Sequence, residues 1–250
     1  MQRSHAYGGT SFSLGPFIKC PHPEMVEVLA RGGFDFAVAD MEHTPLEPAA
    51  LYPMVLAAEL YGMPLVVRIP LRNEMYFKKV LDLGVRYVQV PFVQTAADAE
   101  EAMRLSHFSP EGGRGLCRFV RAAGFSDVPK DNYMRGANED VRLVLQIEDH
   151  VGVDNIEAIT SVPGIDTVFI GPWDLSASYG VPGDVWNPIV AEAMQKVATL
   201  VTGKGLRLGA FTDTAEGVRR LADLGATLIE YGSDLQLAYQ GGAALRASFS

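Results

Sequence analysis

Cysteine is nearly absent from this chain of 250 residues: Cys20 and Cys117 are the only two. Neither stands in a paired motif, which excludes a disulfide framework and a zinc–thiolate site and leaves two thiols expected to be reduced. Long apolar runs are also missing, since the longest are cut by Glu59, Pro64 and other polar residues. The opening "MQRSHAYGGTSFSLG" has no apolar stretch of the kind that directs secretion, so the expectation is a soluble, cytoplasmic protein with no membrane partner. Basic charge is in deficit, with 21 Lys plus Arg against 30 Asp plus Glu and a net charge of −9. That balance argues against nucleic acid as a partner, and an anionic substrate would need a local arginine to attract it.

Apolar residues, by contrast, make up 48% of the chain, enough for a large core, and the length suits one α/β barrel. Short β-rich runs alternate with helical segments. The predicted strands cover residues 14–18, 34–40, 64–69, 86–91, 142–148, 166–171, 206–211 and 227–232. Between them, segments such as "NEMYFKKVLDLG" and "TAEGVRRLADLG" carry apolar residues at helical spacing and stop at glycine. Eight such units without a linker predict a single (β/α)8 TIM barrel over residues 1–250 rather than a doubly wound sheet with a second domain. Residues 107–140 break the rhythm with a long connection rich in arginine and glycine. Its aromatics argue for an ordered active-site flap or a subunit contact, with a short helix near residues 131–137.

Barrel active sites form at the carboxyl ends of the strands. The polar residues predicted there are Lys19, then Asp40, Glu42 and His43, then Arg68, Gln94, Gln146, Glu148 and Asp174. Glu148 and Asp174, from adjacent strand ends without a His or Cys cluster, make a hard oxygen site suited to Mg²⁺ or Mn²⁺. The plainer alternatives are a turn cap for Asp174 and an arginine partner for Glu148. His43 is a proton-transfer candidate because Asp40 stands in the same loop and can fix the tautomer of its ring. Glu42 alternates away and is expected in a salt bridge. Arg68 is either half of an internal ion pair or a fixed cation aimed at developing negative charge.

From "KCPHPEMVEVLARGGFDFAVADMEH" through "LVVRIP", "VQVPFVQTAADAE", "LQIED" and "FIGPWDLS", the chain resembles the HpcH/HpaI family of metal-dependent, class II pyruvate aldolases, within the phosphoenolpyruvate/pyruvate barrel superfamily. The resemblance implies reversible cleavage of a 4-hydroxy-2-oxo acid into pyruvate and an aldehyde through a metal-stabilised pyruvate enolate. It implies Glu148 and Asp174 as ligands of a divalent ion (Mg²⁺, Mn²⁺ or Co²⁺), Arg68 beside the enolate, and His43 with Asp40 as the acid–base pair. Gln146 would lie beside pyruvate, with Pro172 and Trp173 of "GPWDLS" lining the substrate site. Phe211, in "GAF", is the candidate steric selector for the aldehyde. The sequence departs from the family pattern at "GGRGLCRFVR" and at Arg72, where extra cations suggest either an acidic or polyhydroxylated aldehyde or intersubunit ion pairs. The family also implies a homo-oligomer, a hexamer or trimer of dimers, with the last helix exchanged between subunits. The rivals are a Schiff-base aldolase using Lys19, a metal-dependent lyase or decarboxylase of an oxaloacetate-like acid, and a non-catalytic barrel.

Overall fold

The computed structural model describes residues 5–7 and 10–249, so the amino-terminal stretch considered for a leader lies partly outside the described residues. A short antiparallel hairpin joins β1 (His5–Tyr7) to β2 (Thr10–Ile18). From β2 the strands run parallel in chain order: β3 (Ala37–Asp40), β4 (Leu65–Arg68), β5 (Tyr87–Val90), β6 (Arg142–Ile147), β7 (Thr167–Ile170), β8 (Arg207–Thr212) and β9 (Leu228–Ser233). Pairing of β9 with β2 closes the ring, giving a (β/α)8 barrel. All eight predicted strands are present, with ends moved by a few residues. The second starts at Ala37 rather than 34, because the Phe34 N–H turns back to the Leu29 carbonyl and the Asp35 carboxylate accepts the Leu14 N–H.

Local chemistry starts several of the helices with side-chain caps and stops several of them at glycine, the stops being those the sequence suggested. Asn73, Thr95, Thr214 and Ser233 each accept a backbone N–H with the side chain at a helix start, and Thr95 and Asp98 form a reciprocal capping box. The "LG" returns place Gly84 and Gly225 at φ of 92°, where a Cβ would be strained.

Strand alternation divides each strand between the helix layer and the barrel interior. The interior holds an apolar floor of Phe17, Phe36, Val38, Val66, Val144, Phe169 and Leu228. Two residues further along the same strands, on the same face, come Asp40, Arg68, Gln146 and Glu230. The barrel thus changes from apolar to charged within one step of its period, at the end where the strands finish.

The connection 107–140 contains a 3-10 segment, Arg121–Ser126, and a helix, Lys130–Asp140, longer than the expected 131–137. Phe108, Ala123 and Tyr133 give it a small core of its own. Arg114 donates to Asp82 at 2.7 Å, and Arg121 donates to the Leu83 carbonyl at 2.8 Å and to Glu59 at 2.9 Å. Those partners sit at the carboxyl ends of the helices Glu74–Asp82 and Pro48–Leu60, so this segment docks on the amino-terminal side of the barrel, away from its own mouth.

Candidate active site

One wall of the mouth is built on cations. Register places Asp40 on β3 beside Arg68 on β4, and Asp40 is fully buried. Arg68 grips it with two bonds, Nε to Oδ1 at 2.9 Å and Nη2 to Oδ2 at 2.8 Å, and Lys19 Nζ joins the same Oδ2. Burial by itself would raise the Asp40 carboxyl, but hydrogen bonds and charge from Arg68 and then Lys19 overcome it and hold Asp40 well below the usual carboxylate range. Glu42 completes the cluster 3.2 Å from Arg68 Nε, while the Phe17 ring lies under the guanidinium, 4.5 Å from its centroid.

This geometry corrects one expectation. Asp40 Oδ1 accepts the backbone N–H groups of Glu42 at 3.0 Å and His43 at 3.3 Å, so it shapes the loop rather than the His43 ring. The ring nitrogen Nε2 is 3.9 Å from Glu42, and the imidazole is largely exposed on the cleft. The carboxylate beside the histidine is therefore Glu42, because Asp40 is consumed by Arg68 and Lys19.

The opposite wall is acidic and has no cation against it. Glu148, one residue past β6, is 3% exposed. It accepts the Phe92 N–H at 2.8 Å and a bond from Gln146 Nε2. Phe92 reaches it from a left-handed backbone, φ 51°, a conformation that a bulky side chain rarely adopts. Burial raises the Glu148 carboxyl to about 7 against the pull of those two hydrogen bonds, and the charges of Glu42 and Asp174 push the same way. Among the described residues neither Glu148 nor Asp174 forms an ion pair. Gly171 lies between them. A Cβ there would come within 2.9 Å of Glu148 Cβ and 3.0 Å of its Oε2, so only glycine leaves the space beside that oxygen open. A buried carboxylate crowded by a second one, with an open approach, fits a divalent cation. Among the described residues no group of three or more His, Cys, Asp or Glu is placed to hold a metal. The candidate protein donors for such an ion are the two carboxylates, and water and substrate oxygens would have to complete its shell.

Between the walls lies a cleft of about 380 Å³ lined by Lys19, His43, Arg68, Gln146, Pro172, Trp173, Asp174 and Phe211, among others. Of the predicted strand-end residues, Asp40, Glu42, Gln94 and Glu148 are not among its lining; Asp40 is bonded to Arg68 and Glu148 to Gln146, both of which are. Asp174 enters from the first turn of the helix Pro172–Ser178, and Phe211 packs on Phe17 with ring centroids 5.7 Å apart.

Some residues do not arrive where the sequence suggested. Arg72 is spent on Asp98 and Glu101, Arg118 on the Ser126 carbonyl and Arg121 on Glu59, so none offers its charge to the cleft within this chain. Gln94 bonds to Asp149 instead. Sequence reading missed Gln89 and Glu230, both fully buried beneath the cleft. The signal was available: in "YVQV" and "LIEY" each polar residue sits two positions after an inward apolar one.

A strand-end set of this kind, two carboxylates facing an arginine across a barrel mouth, invites comparison with known lyases. Residues 14–240 match the model of the HpcH/HpaI aldolase/citrate lyase family. The chain belongs to this family. It is 36% identical over 222 residues to the 5-keto-4-deoxy-D-glucarate aldolase of Klebsiella pneumoniae subsp. pneumoniae, covering 89% of this chain and 86% of that one. Among solved structures, an HpcH/HpaI aldolase/citrate lyase family protein from Burkholderia cenocepacia J2315 superimposes with a TM-score of 0.90, 33% identity and 95% coverage of both chains. The citrate synthase SbnG superimposes with a TM-score of 0.85 at 30% identity, over 95% of this chain and 92% of that one. As a member of the HpcH/HpaI family, the protein is a divalent-metal-dependent carbon–carbon lyase, an aldolase that cleaves a 4-hydroxy-2-oxo acid.

Proposed function

We propose that the cleft cleaves a polyhydroxylated, acidic 4-hydroxy-2-oxo acid of the kind named for the Klebsiella relative, releasing pyruvate and an aldehyde, with Mg²⁺, Mn²⁺ or Co²⁺ as its ion. The observation that carries this reading is the facing of the Glu148–Gln146 wall and Arg68 across one small cleft. Glu148 and Asp174 would hold the ion, which would supply Lewis acidity toward the 2-oxo acid. Gln146 offers an N–H to the 2-oxo acid. When the C3–C4 bond breaks, its electron pair delocalises to the keto oxygen, and Arg68, already fixed by Asp40, balances the enolate charge. His43 takes the proton of the 4-hydroxyl, which becomes the aldehyde carbonyl. Protonation at C3 then yields pyruvate, and the reverse sequence builds the substrate. Trp173 and Phe211, which line the same cleft, face the aldehyde portion.

The likeness to a citrate synthase supports a second reading on the same machinery, a lyase for an oxaloacetate-like acid. A Schiff-base route has little support, since Lys19 Nζ is engaged by the buried Asp40. Reduced cysteines favour the cytoplasm, and among the described residues no helix is long and apolar enough to cross a membrane. The last helix, Asp234–Ala247, leaves Leu235, Tyr239 and Leu245 exposed, and Phe119 of the 107–140 segment stands equally bare. Both surfaces suit burial against further copies in a hexamer or trimer of dimers.

Stripping the protein with a chelator is expected to abolish cleavage, and added Mg²⁺, Mn²⁺ or Co²⁺ to restore it. Borohydride added with pyruvate should leave the protein's mass unchanged. A reduced pyruvyl adduct on Lys19, with activity surviving chelation, would return Glu148 and Asp174 to structural carboxylates.

A further inference from the structure

Beneath the cleft, four side chains from three strands form one directional chain of hydrogen bonds. Glu148 receives Gln146 Nε2; Gln146 Oε1 receives Gln89 Nε2 at 2.7 Å; and Gln89 Nε2 also reaches Glu230 Oε2 at 3.4 Å. Gln89 and Glu230 are both fully buried. Their register neighbours are Arg68 for Gln89, and Phe211 and Gly15 for Glu230, which puts both under the reacting groups rather than among the helices. A carboxyl group and an amide at such depth are expensive unless they are paired, and here they pair with each other.

The direction of the chain matters because an amide has a donor end and an acceptor end. Gln146 turns its nitrogen toward the Glu148 oxygen, and with it an N–H toward an anionic 2-oxo acid. Its carbonyl then points at Gln89, which has to supply an N–H. The Gln89 nitrogen stays on that side only while its other hydrogen also has an acceptor, and Glu230 is that acceptor. Reversal of Gln146 would set a carbonyl oxygen against Glu148 and against the 2-oxo acid, and reversal of Gln89 would set its carbonyl oxygen against that of Gln146.

We propose that Glu230 is a positioning residue of the active site: acting through Gln89, it fixes the polarity of the Gln146 amide so that an N–H, not a carbonyl, meets the 2-oxo acid. The inference rests on the reading of Gln146 as the group beside pyruvate. Burial pushes the Glu230 carboxyl up to about 8, with Arg68, Lys19 and Asp40 the charged groups around it, so glutamine is its closest neutral mimic at neutral pH. Glu230 Oε1 and Gln89 Oε1 have no hydrogen-bond partner among the described residues, which leaves room for the extra hydrogens of that glutamine.

The test uses the full-length protein loaded with Mn²⁺, measuring pyruvate affinity by calorimetry and Mn²⁺ affinity by magnetic resonance. Glu230→Met and Gln89→Met should each weaken pyruvate binding about tenfold or more, because each leaves a buried polar group unpaired, while Mn²⁺ affinity stays within about twofold. The double variant should be no worse than the poorer single, as expected of residues acting as one unit. Glu230→Gln should bind pyruvate as the wild type does. Wild-type pyruvate affinity in Glu230→Met, or a Glu230→Gln variant as weak as Glu230→Met, overturns the proposal. If Glu230→Met does not fold, Gln89→Met with Glu230→Gln decides it by the same criteria. A wild-type protein that binds Mn²⁺ but no pyruvate removes the underlying reading of Gln146, and the inference with it.

Discussion

Asp40 and Glu230 are both carboxyl groups with no exposure to solvent, both on the inner face of the same barrel, yet their acidities are pushed in opposite directions. Burial drives each toward the neutral form. At Asp40 a guanidinium making two hydrogen bonds, helped by Lys19, reverses that drive; at Glu230 the direct partner is an amide, and Arg68 acts only through its field. Glu148 is also raised, to about 7, by burial and by two carboxylate neighbours, but a cation bound beside it would favour its ionised form. One wall of the cleft is thus neutralised by the protein itself, while the other holds negative charge that a metal ion can satisfy. Direct contact with a cation, not depth, decides which buried acid ionises.

The largest expected effect comes from breaking the self-neutralised wall. Arg68→Ala strands a buried Asp40 and removes the cation facing the enolate, so turnover should fall about a hundredfold to a thousandfold and the melting temperature should drop as well. Arg68→Lys keeps the charge without the two-donor geometry and should fall between the two in steady-state kinetics. Full activity in the lysine variant would reduce Arg68 to a counter-ion.

His43 touches neither wall's interior, and its removal should separate chemistry from metal binding. His43→Ala is expected to lower turnover about a hundredfold with Mn²⁺ affinity unchanged. Equal losses in both would mean that the imidazole helps hold the ion.

The comparison of the two buried acids sharpens into a pH series. Asp40 is depressed when folded, so its stabilisation is present above the ordinary carboxylate value and is lost as pH falls through the depressed one. Glu230 is raised, so its contribution is complete below the ordinary value and disappears as pH climbs toward about 8. In thermal melts from acid to mild alkali, Glu230→Gln should gain on the wild type as pH rises across that second window. For every tenfold by which folding weakens the acidity of this carboxyl, the gain is bounded at about 1.4 kcal/mol. Asp40→Asn should be most harmful near neutrality and should approach the wild type at the acid end. Parallel curves for both variants would erase the distinction between the walls.

The smallest effects belong to two aromatic residues that line the cleft. Phe211→Ala and Trp173→Ala should change the preference between large and small aldehydes about tenfold in a substrate panel, leaving the KM for pyruvate as it was.

Much of this protein was legible without coordinates. Strand and helix alternation, glycine at most helix returns and the polar residues after the strands are local signals, and a parallel barrel converts them into one mouth because every strand ends on the same side. Hence His43, Arg68, Gln146 and Asp174, collected from sequence order, face one cleft, together with Pro172, Trp173 and Phe211, which were read as substrate-site residues. The partners of those residues were not legible, since hydrogen bonding between side chains depends on which strands are neighbours and on the level each side chain reaches. Asp40 looked like the companion of His43 three positions away, but the register of β3 with β4 gave it to Arg68. Arg72 and Arg121 looked like substrate cations until the fold placed them against Glu101 and Glu59. Gln89 and Glu230 are 141 positions apart and acquire meaning only when β5 and β9 face each other across the barrel. The sequence by itself determined which chemical groups stand at the strand ends, because alternation and turn chemistry are local. Only the tertiary structure decided which of them are charged and which are paired, because burial and distance across the barrel set both.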